Sequence, residues 1–327
     1  MNYSPKELRA TPRLAAGQVS YVTVGPDAAG QRLDNFLLRL AKGVPHSHVY
    51  RIVRSGQVRV NKARASVDQR LAEGDLVRLP PLRIAAPAPA PPPVRAQMPP
   101  VLFEDEYLIA VDKPAGLAAH GGSGIAHGLI EMVRAARPNQ PFLELAHRLD
   151  RETSGILLLA KTRRALLGLH EQLREGQVDK RYLVLVAGDW VNDRQHVHLP
   201  LAKRMASSGE RRVSVDEDEG LAAHTVFNLR HRYGAFSLLE AELKTGRTHQ
   251  IRVHLAHLGF PIVGDDKYGD FELNRRVARG EFGVPFRRMF LHAWATRFRH
   301  PVSEAPMAIE SALDRQCSDF LQGLGRA

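Results

Sequence analysis

The chain has 327 residues, more than one typical domain, and 44% of them are hydrophobic, which is enough to bury a sizeable core. Its formal net charge of +11 indicates a polyanionic partner, either a nucleic acid or an anionic membrane surface. The sequence has no run of about 18 apolar residues and no apolar signal core near Met1, so we expect a cytoplasmic protein without a membrane span.

Composition divides the chain into four segments. Residues 1–18 combine prolines and small residues with scattered basic side chains, which predicts a flexible tail. Residues 19–83 are predicted to form a first, small domain. Residues 84–100 carry many prolines and no acidic residue, which predicts a linker in an extended polyproline conformation. Residues 101–327 are left for a second, larger domain.

The first domain is strongly basic. Residues 31–80 hold ten basic and four acidic side chains, and no acidic residue lies between Asp34 and Asp68. Hydrophobic spacing predicts two helices, with buried faces formed by Leu33, Phe36, Leu37 and Leu40 and by Val49, Ile52 and Val53. Residues 58–62 then alternate like a strand that enters a turn.

Five basic residues in the gap without acidic residues are candidates for phosphate contact: Arg51, Arg54, Arg59, Lys62 and Arg64. The alternative is a merely solvated basic face, which is what a run of charge usually means. The whole pattern, from the first helix to the Glu73-Gly74-Asp75 turn, resembles the S4 RNA-binding domain. That resemblance implies RNA as the partner of this domain.

In the second domain, short strands outnumber helices and neighbouring strands are often joined by short turns. The predicted elements are a buried strand at 107–111, a helix at 165–173, a strand at 182–186 and a hairpin of 226–229 with 236–243. An amphipathic helix is predicted around Cys317, with Ile309, Leu313, Phe320, Leu321 and Leu324 as its apolar residues. We therefore predict an α+β fold whose mixed, largely antiparallel sheet has helices packed on it.

The segment HRLDRETSG, residues 147–155, places one carboxylate between two guanidinium groups. The neighbouring positive charges of Arg148 and Arg151 favour the ionised form of Asp150, and an ionised carboxylate can act as a nucleophile. The alternative is an aspartate that caps a turn or pairs with a surface arginine.

Three further segments carry distinctive residues. The first is DKPAGL at 112–117 with HGGSG at 120–124, which predicts the end of a strand followed by a glycine-rich loop. This loop lacks the Gly-Lys-Ser/Thr sequence of a nucleotide-hydrolysing loop. KRYLVLV at 180–186 places Tyr182 near a strand start. LKTGRTHQIRVH at 243–254 reads as a turn that leads into a helix with Arg247 near its start.

The histidines of that last segment, His249, His254 and the following His257, do not have a metal-binding spacing. We expect them to be surface or core histidines, and we expect no metal site.

In this order, the four segments resemble the RluA-type family of pseudouridine synthases, whose His-Arg-Leu-Asp-x-x-Thr-Ser-Gly box matches residues 147–155. The resemblance implies that Asp150 is the nucleophile acting on a flipped-out uridine and that Arg148 fills the vacated space. It also implies that Tyr182 lies against the target base and that Arg247 pairs with Asp150. No external cofactor is implied.

Within the family, the HGGSG string, the S4 domain and the helix HEQLR at 170–174 resemble the members that modify large-subunit (23S) ribosomal RNA. We expect a monomer that binds RNA and neither DNA nor membranes. Two other functions stay open: a non-catalytic RNA-binding ribosome assembly factor, and a phosphatase with an aspartate nucleophile. The phosphatase needs metal-binding carboxylates near Asp150, where only Glu152 is close.

Overall fold

The computed structural model describes residues 17–41, 44–82, 98–121, 128–205 and 211–325. The predicted tail falls almost entirely, and the predicted linker mostly, outside these residues. The described residues divide into two compact units, one within residues 17–82 and one that takes most of residues 98–325. The exact domain boundaries stay a prediction.

In the first unit, two helices pack on a small antiparallel sheet with strand order β1-β4-β2-β3. Its described elements are β1 (Ser20–Thr23), α1 (Leu33–Leu40), α2 (His46–Arg54), β2 (Arg59–Val60), β3 (Ala63–Arg64) and β4 (Leu76–Leu79). The predicted helix faces are confirmed, because their residues are buried together in one core and only Leu40 stays partly exposed. The predicted turn is confirmed at Asn61 and Lys62, both of which have positive φ angles.

In the second unit, helices and strands alternate irregularly. Its described elements are β5 (Val101–Glu104), β6 (Leu108–Lys113), α3 (Leu129–Ala136), β7 (Glu144–Leu145), β8 (Ser154–Ala160), α4 (Arg163–Arg174), β9 (Asp179–Ala187), β10 (Arg194–His198), β11 (Leu201–Met205), β12 (Arg211–Val215), β13 (His224–Arg232), β14 (Phe236–Leu243), α5 (Gln250–His257), α6 (Phe271–Arg279), β15 (Leu291–Arg299), β16 (Pro306–Glu310) and α7 (Arg315–Leu324).

A large sheet organises the second unit, with strand order β10-β13-β14-β9-β15-β8-β6-β5; β16 also pairs with β15, and β7 with β8. The pairing of β15 with β8 is parallel, and the other described pairings of this sheet are antiparallel. Strand β8 is buried along its whole length. The predicted α+β class, with a mixed and largely antiparallel sheet, is confirmed.

The C-terminal helix begins later than the hydrophobic spacing suggests. Ile309 belongs to strand β16, and α7 starts at Arg315. The side chain of Asp314 accepts a hydrogen bond from the backbone N–H of Cys317 and thereby caps the helix. Cys317, Phe320 and Leu324 are buried as expected.

Within the described part of the chain, the longest and most apolar helices still fall short of what a membrane crossing requires.

His254 is a buried histidine whose protonation is coupled to folding. Its Nδ1 lies 3.0 Å from Thr225 Oγ1 and its Nε2 lies 3.0 Å from the Leu199 carbonyl oxygen. Burial lowers the pKa of His254 to about 4. A histidine in the unfolded chain has a pKa of about 6.5. Between this pH and about 4, the unfolded state therefore binds a proton at His254 and the folded state does not.

We therefore predict that the free energy of unfolding falls as the pH drops from about 6.5 toward about 4, and that His254→Gln makes this dependence shallower by up to about 1.4 kcal/mol per pH unit. Urea unfolding at a series of pH values measures both slopes. His231→Gln, a change at an exposed histidine on strand β13, should leave the wild-type slope intact. Equal slopes for wild type and His254→Gln would contradict the prediction.

Candidate active site

Asp150 lies in the loop that joins β7 to β8. Leu149 is buried in the main core, whereas the neighbouring Arg148 is exposed and the side chain of Asp150 is 20% exposed. The backbone N–H of Thr153 donates to the Asp150 carbonyl oxygen at 3.2 Å. Leu149 therefore anchors the loop in the core, and the side chains of Arg148 and Asp150 face a cleft.

Gly155 fixes the end of this loop against the sheet. Its φ of +105° is a conformation that L side chains rarely adopt, and a Cβ atom there would overlap the carbonyl oxygen of Ala293 on β15. The glycine of the HRLDRETSG segment is thus required by the close parallel approach of β8 to β15.

Lys113, at the end of β6, ties a second loop to the Asp150 loop. Its side chain is fully buried, and its Nζ donates to the carbonyl oxygens of Pro114, Leu117 and Arg151 at 2.8–3.0 Å. Burial lowers the pKa of Lys113 to about 7. Sequence reasoning did not single out this lysine, although it lies in the DKPAGL segment. Its role depends on carbonyl groups from two loops that are far apart in the sequence.

The cation that faces Asp150 is Arg252. The Oδ2 atom of Asp150 lies 3.7 Å from Arg252 Nη1 and 3.8 Å from His249 Nε2. The Arg151 guanidinium, which was expected to act on Asp150, instead forms an ion pair with Glu152 at 2.8 Å.

The sequence predicts an ion pair between Arg247 and Asp150, whereas in the structure Arg247 has another partner. Helix α5 begins at Gln250, so Arg247 lies before the helix, where its Nε donates to the carbonyl oxygen of Ala222. Arg252, in the first turn of the helix, is the residue that faces Asp150.

A buried carboxylate holds Arg252 in place. Nε and Nη2 of Arg252 donate to the two carboxylate oxygens of Asp265, both at 2.7 Å, and the guanidinium lies 5.1 Å from the centre of the Tyr268 ring. Burial alone would raise the pKa of Asp265, but the hydrogen bonds and charge of Arg252 hold it below its usual value. Such a bidentate pair fixes the plane of the guanidinium and leaves Nη1 directed at Asp150.

His249 is the second neighbour of Asp150. Its backbone adopts a left-handed conformation with φ of 55°, and its Nδ1 lies 2.9 Å from the Tyr268 hydroxyl. Burial lowers the pKa of His249, and the opposing charge of Asp150 does not compensate for this. His249 was expected to be a surface or core histidine, and the structure places it in the candidate site.

Gln250 braces the segment that carries these residues. Its Oε1 accepts hydrogen bonds from Thr245 Oγ1 and from the backbone N–H of Arg247 at 2.7 and 3.0 Å. Its Nε2 donates to the His224 carbonyl oxygen and to Thr225 Oγ1. These hydrogen bonds link the loop before α5 to the start of β13.

These loops line an open pocket whose empty space, which includes open solvent, is about 560 Å³. It brings together all four predicted residues of the site, namely Arg148, Asp150, Tyr182 and Arg247. Arg252 and His249 also line this pocket, and both were missed by sequence reasoning.

Tyr182 contributes an aromatic wall on the central strand β9. Its cross-strand partners are both small, Ala241 on β14 and Ala293 on β15. Burial, with a smaller effect of the Asp150 charge, raises the pKa of the Tyr182 phenol. Tyr182 is therefore a neutral ring at working pH, suited to packing against a flat base.

The five predicted RNA-contacting residues of the first unit, Arg51, Arg54, Arg59, Lys62 and Arg64, are all exposed. Arg64 Nη2 donates to the Arg54 carbonyl oxygen at 2.6 Å, which links the hairpin of β2 and β3 to the end of α2. Arg51 Nη2 lies 2.6 Å from His48 Nδ1 on the same helix. We call these five residues the basic surface.

Comparison with known proteins gives consistent results for both units. The family model described as RNA pseudouridylate synthase matches residues 107–257, and the S4 domain model matches residues 31–77. The "Ribosomal large subunit pseudouridine synthase C" of Yersinia pestis is 48% identical, with 94% of this chain and 96% of that protein covered. The protein of the same name from Escherichia coli K12 is 47% identical, with coverage of 94% and 98%.

Among solved structures, "Human RNA Pseudouridylate Synthase Domain Containing 4" superimposes with a TM-score of 0.55 at 24% sequence identity, covering 69% of this chain and 92% of the human chain. This similarity shows a shared fold.

Proposed function

We propose that large-subunit (23S) ribosomal RNA is the substrate of this chain, which belongs to the RNA pseudouridylate synthase family and isomerises uridine to pseudouridine in RNA. The expected resemblance to the RluA-type synthases and the presence of an S4 domain are confirmed. The proposed substrate is supported by the names of relatives that are 47–48% identical over 94% of the chain. The cytoplasmic location belongs to this proposal, and the monomeric state stays a prediction.

The proposed nucleophile is Asp150, and the observation that carries it is the position of its carboxylate. It lies 3.7 Å from the fixed guanidinium of Arg252 and lines the same pocket as Tyr182. The carboxylate is the form of this side chain that attacks an electrophilic carbon.

The other pocket residues have distinct roles in this proposal. Tyr182 supplies a flat surface for the uracil once the nucleotide has left its stack. Arg148 is exposed at the pocket, and the described part of the chain offers its guanidinium no carboxylate partner. It is therefore available to occupy the space that the flipped base vacates. Arg252, positioned by Asp265, orients Asp150.

The reaction follows from these placements. Asp150 attacks the nucleoside, the bond between N1 and C1′ breaks, and the uracil turns within the pocket. A bond then forms between C5 and C1′, and the bond to Asp150 breaks, which regenerates the carboxylate. N1 gains a proton, and the proton on C5 leaves to solvent. Atoms and electrons balance without an external donor, which accounts for the expectation that no cofactor is needed.

The substrate proposal is tested by tritium release. A 23S RNA transcript labelled with [5-³H]uridine should release tritium to water when it is incubated with the full chain, because C5 loses its hydrogen in the reaction. A labelled small-subunit transcript serves as the control and should release none above background. Release from the small-subunit transcript alone would overturn the 23S proposal and leave the activity itself standing.

The non-catalytic assembly factor is not supported, since relatives of this similarity are synthases and the site residues are all present. The phosphatase is not supported either, because Glu152, the nearest additional carboxylate in sequence, is paired with Arg151.

The basic surface gives a prediction about RNA affinity. Reversing the charge at Arg51 and Arg54 should weaken RNA binding and flatten its salt dependence by about one unit of log-log slope for each phosphate that the variant no longer neutralises. Filter binding across a salt titration measures both quantities. The matched control reverses two exposed arginines of the second unit, Arg279 and Arg315, and so changes the net charge equally. An equal effect of the two double variants would show that the basic surface has no special role.

A further inference from the structure

Three histidines on neighbouring strands form a cluster at the edge of the large sheet. His196 and His198 lie two residues apart on β10 and therefore point to the same side of the strand. His224 on β13 is the direct cross-strand partner of His198. We call His196, His198 and His224 the histidine cluster; it contains none of the residues that line the pocket at Asp150.

The side chains of the cluster converge. His196 Nδ1 lies 3.2 Å from His224 Nε2, and each of the three residues offers a ring nitrogen within 4.8 Å of the other two. The rings of His198 and His224 are stacked, with centres 3.9 Å apart. Nitrogen ligands of a tetrahedral zinc ion, at about 2.0–2.1 Å from the metal, lie about 3.3 Å from one another. One pair already has that spacing, and the exposed His196 and His198 can rotate to complete it.

The ligand atoms that the cluster offers to a metal ion are ring nitrogens, one from each histidine. A neutral imidazole presents the lone pair that a metal ion needs. Glu242 is itself occupied by Arg194, Asn228 and Lys244, so it is not a fourth ligand.

We propose that the histidine cluster binds a divalent transition-metal cation of the zinc class through three imidazole nitrogens, with water at the remaining position. Imidazole ligands suit zinc, copper and nickel better than magnesium or calcium, which prefer oxygen ligands. Within the described part of the chain, this is the one group of three histidine, cysteine or carboxylate side chains with the required convergence. The site is separate from the proposed reaction and goes beyond it.

The cluster is connected to the segment that carries the active-site residues. The carbonyl oxygen of His224 accepts hydrogen bonds from Gln250 Nε2 and from the backbone N–H of Lys244, and its N–H donates to Thr245 Oγ1. A bound cation would therefore restrain β10 against β13 next to the brace formed by Gln250. The direct consequence is a more stable second unit in the presence of the metal.

The test is a titration of the metal-free full chain with Zn²⁺ by calorimetry, and with Co²⁺ as a spectroscopic probe. We expect one ion per chain, visible Co²⁺ absorption that Zn²⁺ displaces, and a rise in Tm that EDTA reverses. His198→Ala should weaken Zn²⁺ binding at least about tenfold and remove the Co²⁺ bands, because it deletes a ligand from an exposed position. Cys317, the single cysteine, is buried and does not compete for the metal.

The matched control is His231→Ala, which removes another exposed histidine from the same strand β13. It should bind Zn²⁺ like the wild type. Equal Tm values of the metal-free variants and wild type show that any loss of binding is not a loss of folding. Zn²⁺ affinity that is the same in wild type, His198→Ala and His224→Ala would overturn the proposal, and so would the absence of a stoichiometric Co²⁺ spectrum in the wild type.

Discussion

Replacing Asp150 with asparagine should lower turnover by at least about a thousandfold, because the amide keeps the shape of the side chain and removes the nucleophile. RNA affinity should change by less than about 1 kcal/mol, a factor of roughly five, since Asp150 contacts no phosphate in this mechanism. Single-turnover tritium release and filter binding measure the two quantities on the same preparation.

The matched control for this variant is Glu152→Gln. Glu152 is the neighbouring carboxylate, and it pairs with the exposed Arg151 instead of with Arg252. We expect its turnover to stay near the wild-type value, which separates loss of the nucleophile from loss of negative charge near the pocket. Turnover by Asp150→Asn at the wild-type rate would remove Asp150 from the mechanism.

The second large effect is expected for Arg252→Gln. The change removes the cation that faces Asp150, and we expect kcat to fall by about 100-fold or more. It also leaves Asp265 buried without its partner, which should lower the free energy of unfolding by about 3–5 kcal/mol. Single-turnover kinetics and urea unfolding measure these effects.

A double variant separates the catalytic effect from the effect on folding. Adding Asp265→Asn to Arg252→Gln removes the uncompensated buried charge, so stability should recover while turnover stays low. Arg247→Gln is the comparison within the same sequence segment, and it should cost less in kcat because Arg247 is bonded to the Ala222 carbonyl oxygen and not to Asp150. Full turnover in the double variant, or a larger kcat loss in Arg247→Gln, would contradict the assignment of Arg252.

Sequence reasoning identified the elements and residues whose pattern lies within one short segment of the chain. The helices α1, α2 and α4 and the hairpin of β13 and β14 each follow from the spacing of apolar residues within one segment. Asp150 and Gly155 stand in one contiguous string, and the glycine is fixed by its contact with Ala293. The loop around Asp150 could therefore be recognised from nine residues.

The residues that sequence reasoning missed depend on contacts between distant segments. Helix α5 is buried from Gln250 to Leu255, so its polar residues face protein instead of solvent, and periodicity gives no reason to prefer Arg252 over Arg247. The orientation of Arg252 comes from Asp265, in the turn beyond the helix. The histidine cluster likewise depends on the register of β10 with β13, which no local pattern encodes.

The reaction, its nucleophile and its RNA target can be tested together by pseudouridine mapping, through carbodiimide-dependent reverse-transcription stops, on ribosomal RNA from cells that lack this protein. The cells are complemented either with wild type or with Asp150→Asn. We predict that defined stops disappear from 23S RNA and return only with the wild-type chain. An unchanged map, or stops restored equally by Asp150→Asn, would contradict the proposed function.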